Sequence, residues 1–306
     1  MLHGEHDTGP DDSLGTQRVP GVLSLKIPEN IPVPVLIAAP HGGRAYPADV
    51  LKAFRRPDVS LRLEDRHVDD LAALVAEQTG ACLLLAEAPR AMIDLNRSPE
   101  DIDWSMIAGA GRKRIPHSIA NRRARNGLGL VPRRLPKTGE IWKANLARTE
   151  LDRRIETIHR PYHKALATTL DLIRDRWGGA LLLDLHSMPP LPVRHGEAKA
   201  AEFVVGDRFG LSCDARISAT AINYLGSQDR PVAHNRPYSG GYVLDRHGMP
   251  RRGIHAVQLE VCRSAYLDRD LVNPSARMPG LARLLAGLVR ALAAEIDVAD
   301  HRQAAE

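Results

Sequence analysis

Little in this sequence serves a membrane. No apolar run approaches the roughly 18 residues that suggest a span, and the opening MLHGEHDTGPDDSLGTQ lacks the charge-then-apolar layout of a secretory leader. A cytoplasmic protein is expected. Cysteine is scarce: Cys82, Cys213 and Cys262 are odd in number and widely spaced, which argues against a disulfide framework or a cysteine-rich zinc site and predicts three reduced core thiols. Aromatic residues make up 4% of the chain, too few for a platform that stacks single-stranded nucleic acid. There is no glycine-rich phosphate fingerprint of the dinucleotide or Walker type and no internal repeat.

What is present is an ordinary soluble composition, 43% apolar and 26% charged over 306 residues, enough for one large core. We expect a single domain over residues 21–300, with flexible segments at 1–20 and 301–306. The net charge of +5 is local: eight basic residues and no acidic one lie between Arg112 and Arg134, and removing those eight leaves the rest of the chain at −3. A nucleic-acid module built on that stretch is the rival from another class, testable by salt-dependent binding. Neither nucleic acid nor a membrane is the expected partner, and the oligomeric state is left open.

Continuous apolar or β-rich runs at Val33 to Ala39, Ala81 to Ala86, Ala180 to Leu185, Phe203 to Gly206 and His255 to Val261 predict buried strands. From Leu151, the positions Ile155, Ile158, Tyr162, Leu166, Leu170, Ile173 and Trp177 recur at helical steps up to Gly178-Gly179, with a kink expected at Pro161 and Tyr162 in the core. A second apolar stripe runs from Leu281 to Ile296. Strands alternating with helices indicate an α/β sandwich with a mostly parallel, mixed central sheet.

In such sheets ligands collect beyond the carboxyl ends of strands. Two predicted strands run into histidine there, His41-Gly42-Gly43 and His186-Ser187, and a third carries Glu260 near its end. A lone strand-end histidine more often caps a loop, but two on separate strands point to a metal, because imidazole and carboxylate ligands around an open position are what catalytic zinc requires. The glycines after His41 suggest close approach of backbone and ligand, and Asp184 reads as a residue behind the ligands. Glu64, Asp65 and Asp69 offer the carboxylate; Asp65 and Asp69, four apart, share a face if helical. Asn96-Arg97, after a strand-like run Ala91 to Leu95, offers an arginine fork for a substrate carboxylate, with Arg90 the weaker alternative. Asn235 to Gly241 is turn-rich and reads as site rim.

The ordered segments PHGGRAYP, EDRHVDDL, PRAMIDLNRSP, GLGLVPRR, RPYHKAL, LDLHSMPP, NRPYSGGYVLDRHGMP and HAVQLEVCRSAY resemble the N-formylglutamate amidohydrolase family over roughly His41 to Tyr266. That family is similar in fold and site design to zinc carboxypeptidases and aspartoacylase. The resemblance implies one zinc ion per chain, held by His41, His186 and a carboxylate, with Asp65 chosen over Glu64. It implies Glu260 as general base and Asn96, Arg97, Arg133, Asn235, Gly240 and Gly241 as substrate-binding residues. The carboxypeptidases place their carboxylate ligand three residues after the first histidine, where this chain has Arg44. The implied reaction is hydrolysis of a small anionic N-acyl amino acid, N-formyl-L-glutamate foremost; a deacylase of another N-acyl amino acid or peptide fragment is the alternative. His163, in RPYHKAL, either orients a site residue or caps a helix face.

Overall fold

The protein is described from a computed structural model covering residues 15–109, 124, 126–135, 138–193, 195–196 and 199–303, with side chains through residue 296. Its strands are β1 (Thr16–Val19), β2 (Leu23–Lys26), β3 (Val35–Ala39), β4 (Cys82–Ala86), β5 (Arg134–Leu135), β6 (Gly139–Glu140), β7 (Ala180–Met188), β8 (Phe203–Gly206), β9 (Val232–His234) and β10 (Ile254–Cys262). Among the described residues the α-helices are α1 (Ala48–Ala53), α2 (Val59–Leu63), α3 (Val68–Thr79), α4 (Arg148–Arg154), α5 (Arg160–Trp177), α6 (Ala215–Ser227), α7 (Tyr242–His247) and α8 (Met278–Gln303). No helix of the described residues is long and apolar enough to cross a membrane.

Eight strands form one sheet in the order β1-β2-β4-β3-β7-β10-β8-β9, and β5-β6 is a separate hairpin. The centre β4-β3-β7-β10 is parallel, whereas β1, β2 and the β10-β8 junction pair antiparallel. The mostly parallel, mixed α/β sheet therefore follows the sequence pattern. Alternation sets the layers: Leu36, Ala38, Leu84 and Leu182 face a core under α5 and α7, while Val35, Ile37, Leu181, Leu183 and Val257 face one under α3, α6 and α8. A fully buried Leu or Ile contributes about 1.5–3 kcal/mol, so both faces must be covered, as parallel sheets require.

Four expectations shift. The strand expected to end at Leu185 continues through His186 to Met188, because its neighbour β10 stays in register as far as Cys262. Ala91 to Leu95 is turn rather than strand. Where a kink is expected at Pro161, the helix carries a π-helical turn, Ile155–His159, that ends two residues before the proline. The chain is already a strand at Thr16 and still helical at His301, inside segments that composition alone reads as flexible; residues 1–14 and 304–306 lie outside the described ones. The three cysteines are free and buried.

Candidate metal centre and active site

Residues of equal parity on a strand share a face, and one face at the sheet's carboxyl end carries the chemistry. On β7 the buried Leu182 is followed by Asp184 and His186, and on β10 Ala256 is followed by Gln258 and Glu260. The parallel register pairs Gln258 with Asp184 and Glu260 with His186. His41 leaves the end of the adjacent β3. Asp65 lies in the turn before α3 and is tied to that loop, its N–H donating to the His41 carbonyl at 3.0 Å.

His41, Asp65 and His186 are all buried, and one ligand atom of each lies within 4.8 Å of the others. His41 Nε2 donates to Asp94 Oδ1 at 2.8 Å, and His186 Nε2 donates to Asp184 Oδ2 at 2.9 Å. With both Nε2 atoms committed, each Nδ1 turns toward Asp65: His186 Nδ1 is 3.0 Å from Asp65 Oδ2 and His41 Nδ1 is 3.6 Å from it. His41 Nδ1 is buried with no hydrogen-bond partner. An orphaned ring nitrogen aimed at a buried carboxylate, with a second imidazole alongside, suits a divalent cation, and the carboxylates behind both rings fix the tautomers that ligation needs.

The electrostatics agree. Burial alone lowers the His186 imidazole, yet Asp184 and Asp65 at its two nitrogens raise it well above its ordinary value. Burial raises the Asp65 carboxyl, and the bonds and charges of His186 and His41 outweigh that and hold it well below the usual range. Such a pocket demands positive charge between these groups. Asp94 is held low in the same way, burial being overcome by Arg90, His41 and Arg97.

Glu260, 8% exposed, is pushed by burial up to about 7; His186 and Arg90 oppose the rise, and Asp65 and Asp184 add to it. A carboxylate poised near neutrality can both take and return a proton. Gln258 Nε2 donates to Glu260 Oε1 at 2.9 Å, and Asn96 Nδ2 donates to Gln258 Oε1 at 3.3 Å. A cavity of about 750 Å³ opens over this face, and His41, Asp65, Arg90, Asn96, Arg97, His186, Tyr238, Gly240, Gly241, Glu260 and Arg263 are among its lining residues.

Most of the residues singled out from sequence meet here, with exceptions. Glu64 precedes Asp65 in extended backbone, so it points the opposite way and pairs with Arg66 at 2.7 Å. Asp69 shares no ligand face with Asp65, since α3 begins only at Val68; it forks with Arg44 at 2.6 and 2.7 Å. Gly42 and Gly43 admit protein rather than ligand: a Cβ on Gly42 would come within 2.7 Å of Asp69, and one on Gly43 would strike the Ala88 carbonyl. Arg133 does not line the cavity because Asp103 and Glu140 hold its guanidinium. Asn235 does not line it either: at φ 59, a conformation asparagine tolerates, it is bonded to Asp207 at 2.7 Å. The basic stretch lies outside the described residues at 110–123 and 125.

Arg90, Asp94 and Gln258 were underrated or missed. Asp94 Oδ2 accepts from Arg90 Nε at 3.0 Å, so one carboxylate links His41 to an arginine whose Nη1 and Nη2 have no partner among the described residues. Gln258 was legible, being two positions before Glu260 on a strand. Asp94 was not, because nothing in a turn's sequence shows where its side chain reaches.

The N-formylglutamate amidohydrolase family model matches residues 33–267. The chain belongs to that family. It is similar to the N-formylglutamate deformylase of Pseudomonas putida, 32% identical over 79% of this chain and 88% of the relative, and to that of Pseudomonas aeruginosa, 27% identical over 85% and 91%. The crystal structure of the N-formylglutamate amidohydrolase from Ralstonia eutropha JMP134 superposes with a TM-score of 0.79 at 30% identity, covering 90% of this chain and 98% of the other.

A second histidine cluster carries a pH prediction. Burial, helped by neighbouring positive and imidazole groups, lowers the His163 imidazole to about 2 and the His247 imidazole to about 3. Both stay neutral in the fold, whereas free imidazole protonates below about 6.5. Folded values below the unfolded one mean that stability is complete above about pH 6.5 and is lost as pH falls toward the folded values. Each residue should cost about 2 kcal/mol at about pH 5. Melting temperatures followed from about pH 8 to about pH 5 should fall on the acid side, and a flat profile would refute it.

Proposed function

We propose that this enzyme hydrolyses N-formyl-L-glutamate to formate and glutamate with a zinc ion held by His41, Asp65 and His186. The observation that carries the reading is the convergence of two tautomer-fixed Nδ1 atoms and Asp65 beside Glu260, whose carboxyl is poised at about 7. Zinc bound there supplies Lewis acidity toward the acyl carbonyl and acidifies water.

The chain's own residues do the rest. Glu260 takes a proton from the water that attacks the acyl carbon and returns it to the leaving amine nitrogen as the C–N bond breaks. Arg90, with Nε fixed on Asp94, directs its terminal nitrogens to negative charge in the cavity. Arg97 Nε and Nη1 donate to the carbonyls of Leu128 and Asn96 at 3.1 and 2.8 Å, which holds its guanidinium plane against the cavity wall. Arginines at the wall select an anionic amino acid over a neutral amide.

The test is metal analysis of purified protein together with formate release from a panel of N-formyl amino acids. Zinc near one ion per chain and preference for the glutamate derivative are expected; efficient release of acetate or a larger acyl group instead would favour the alternative deacylase. Arg97→Lys keeps the charge and loses the fork, so KM should rise about tenfold or more, and unchanged kinetics would remove Arg97 from recognition.

A further inference from the structure

Three buried histidines outside the metal centre sit against the loop that presents Asn96. His163 and His159 project from one helical stretch, in α5 and in the π-turn before it, and His247 from α7. Rings of His159 and His163 lie 4.4 Å apart, those of His163 and His247 stack at 5.2 Å, and the Tyr242 ring packs on the first two at 5.7 and 5.1 Å.

Their hydrogen bonds have a fixed polarity. His163 Nε2 donates to the Leu95 carbonyl at 3.0 Å, so its Nδ1 is bare and accepts from His247 Nε2 at 2.9 Å. His159 Nε2 donates to the Arg97 carbonyl at 2.9 Å. The carbonyls on both sides of Asn96 are thus held by imidazoles. The Asn96 side chain is held from α7 as well, its Oδ1 accepting from the Val243 N–H at 2.9 Å. A Cβ on Gly241 would lie 2.5 Å from that oxygen, which is why the helix can begin so close to it.

From Asn96 the line continues to Gln258 and then to Glu260 Oε1. We infer that His159, His163 and His247 are positioning residues: a neutral imidazole brace that sets Asn96 and, through Asn96 and Gln258, the rotamer of Glu260. The brace works because each imidazole in the pair uses one nitrogen as donor, and a second proton on His163 would set two donors against each other. Burial, which disfavours that proton, keeps the pair in the working state. A half-ångström error at a reacting group is costly in rate, so rigid backing for Glu260 has functional value that a core leucine cannot supply.

This inference rests on the proposed role of Glu260, and its test separates the two. His163→Leu fills the volume and removes both bonds, while His163→Gln can still donate to Leu95 and accept from His247. In His163→Leu, kcat on N-formylglutamate should fall about 10- to 100-fold with KM changing less than threefold and metal content unchanged, and His163→Gln should recover most of the loss. Combining His163→Leu with Asn96→Ala should cost little more than Asn96→Ala alone, because both cut one line. Hydrogen exchange of the backbone around Leu95 to Arg97 should quicken in His163→Leu, a readout that needs no activity and stands even if the true substrate is another N-acyl amino acid. If His163→Leu does not fold, His247→Leu, which removes the bond to His163 Nδ1 and leaves that to Leu95, takes its place, with a smaller fall in kcat and the same non-additivity with Asn96→Ala expected. Normal kcat in a destabilised variant, multiplying losses in the double variant, or unchanged exchange overturns the brace; a wild-type protein inert toward N-formylglutamate overturns the proposed function and leaves the exchange result to judge the brace.

Discussion

Glu260→Gln is expected to lower kcat by about 100- to 10,000-fold, roughly 3–5 kcal/mol of barrier, while the protein keeps its metal and its melting temperature. The amide preserves shape and can still bond to Gln258, but it cannot carry the proton from water to the leaving nitrogen. The size of the loss follows from burial: Glu260 lines the cavity from a strand that is buried along its whole length, so solvent is a poor substitute. Replacing Gln258, which takes one Glu260 oxygen at 2.9 Å, should give a smaller fall. A fully active, metal-loaded, stable Glu260→Gln protein would exclude the mechanism, and a loss of melting temperature without loss of kcat would make Glu260 a structural partner.

His186→Ala should strip the metal and abolish turnover. Removing one of three protein ligands leaves a weak site, and it strands Asp184, whose Oδ1 already has no hydrogen-bond partner, as a fully buried uncompensated carboxylate. Asp184→Asn, which keeps the ligand but loosens its tautomer, should cost about 10- to 100-fold in affinity or activity. Metal content by mass spectrometry and formate release on the same preparations check both. Full occupancy in His186→Ala would refute the ligand set.

Much of this centre was legible in the sequence because strands advertise themselves. His186 and Glu260 sit where continuous apolar runs are interrupted, and an ionisable group there is costly unless it is used. The edge strand β1, its neighbour β2 and the hairpin β5-β6 were not, since segments of two to four residues are too short for a period to stand out. The choice of Asp65 over Glu64 depends on the turn before α3, whose start at Val68 rather than earlier decides which carboxylate faces His186. Arg133 misled because a basic residue in a loop reads the same whether it awaits an anionic substrate or is neutralised by Asp103 and Glu140. The Asp94 strut and the imidazole brace were hidden for another reason: each joins residues far apart along the chain, such as His163 to His247, and spacing says nothing of that.

The parallel pairing of β3 with β7, which sets Val35 beside Leu181, also bears on how the protein is born. Until that long loop closes, His41 and His186 are strangers, and loop closure of this length is a slow, entropically opposed event. The nascent or unfolded chain therefore offers a cation only scattered donors, with no cage to capture it. A metal held by His41, Asp65 and His186 would act after the sheet has assembled, as a latch on the finished fold: it would slow escape from the native state and leave the rate of reaching it nearly untouched.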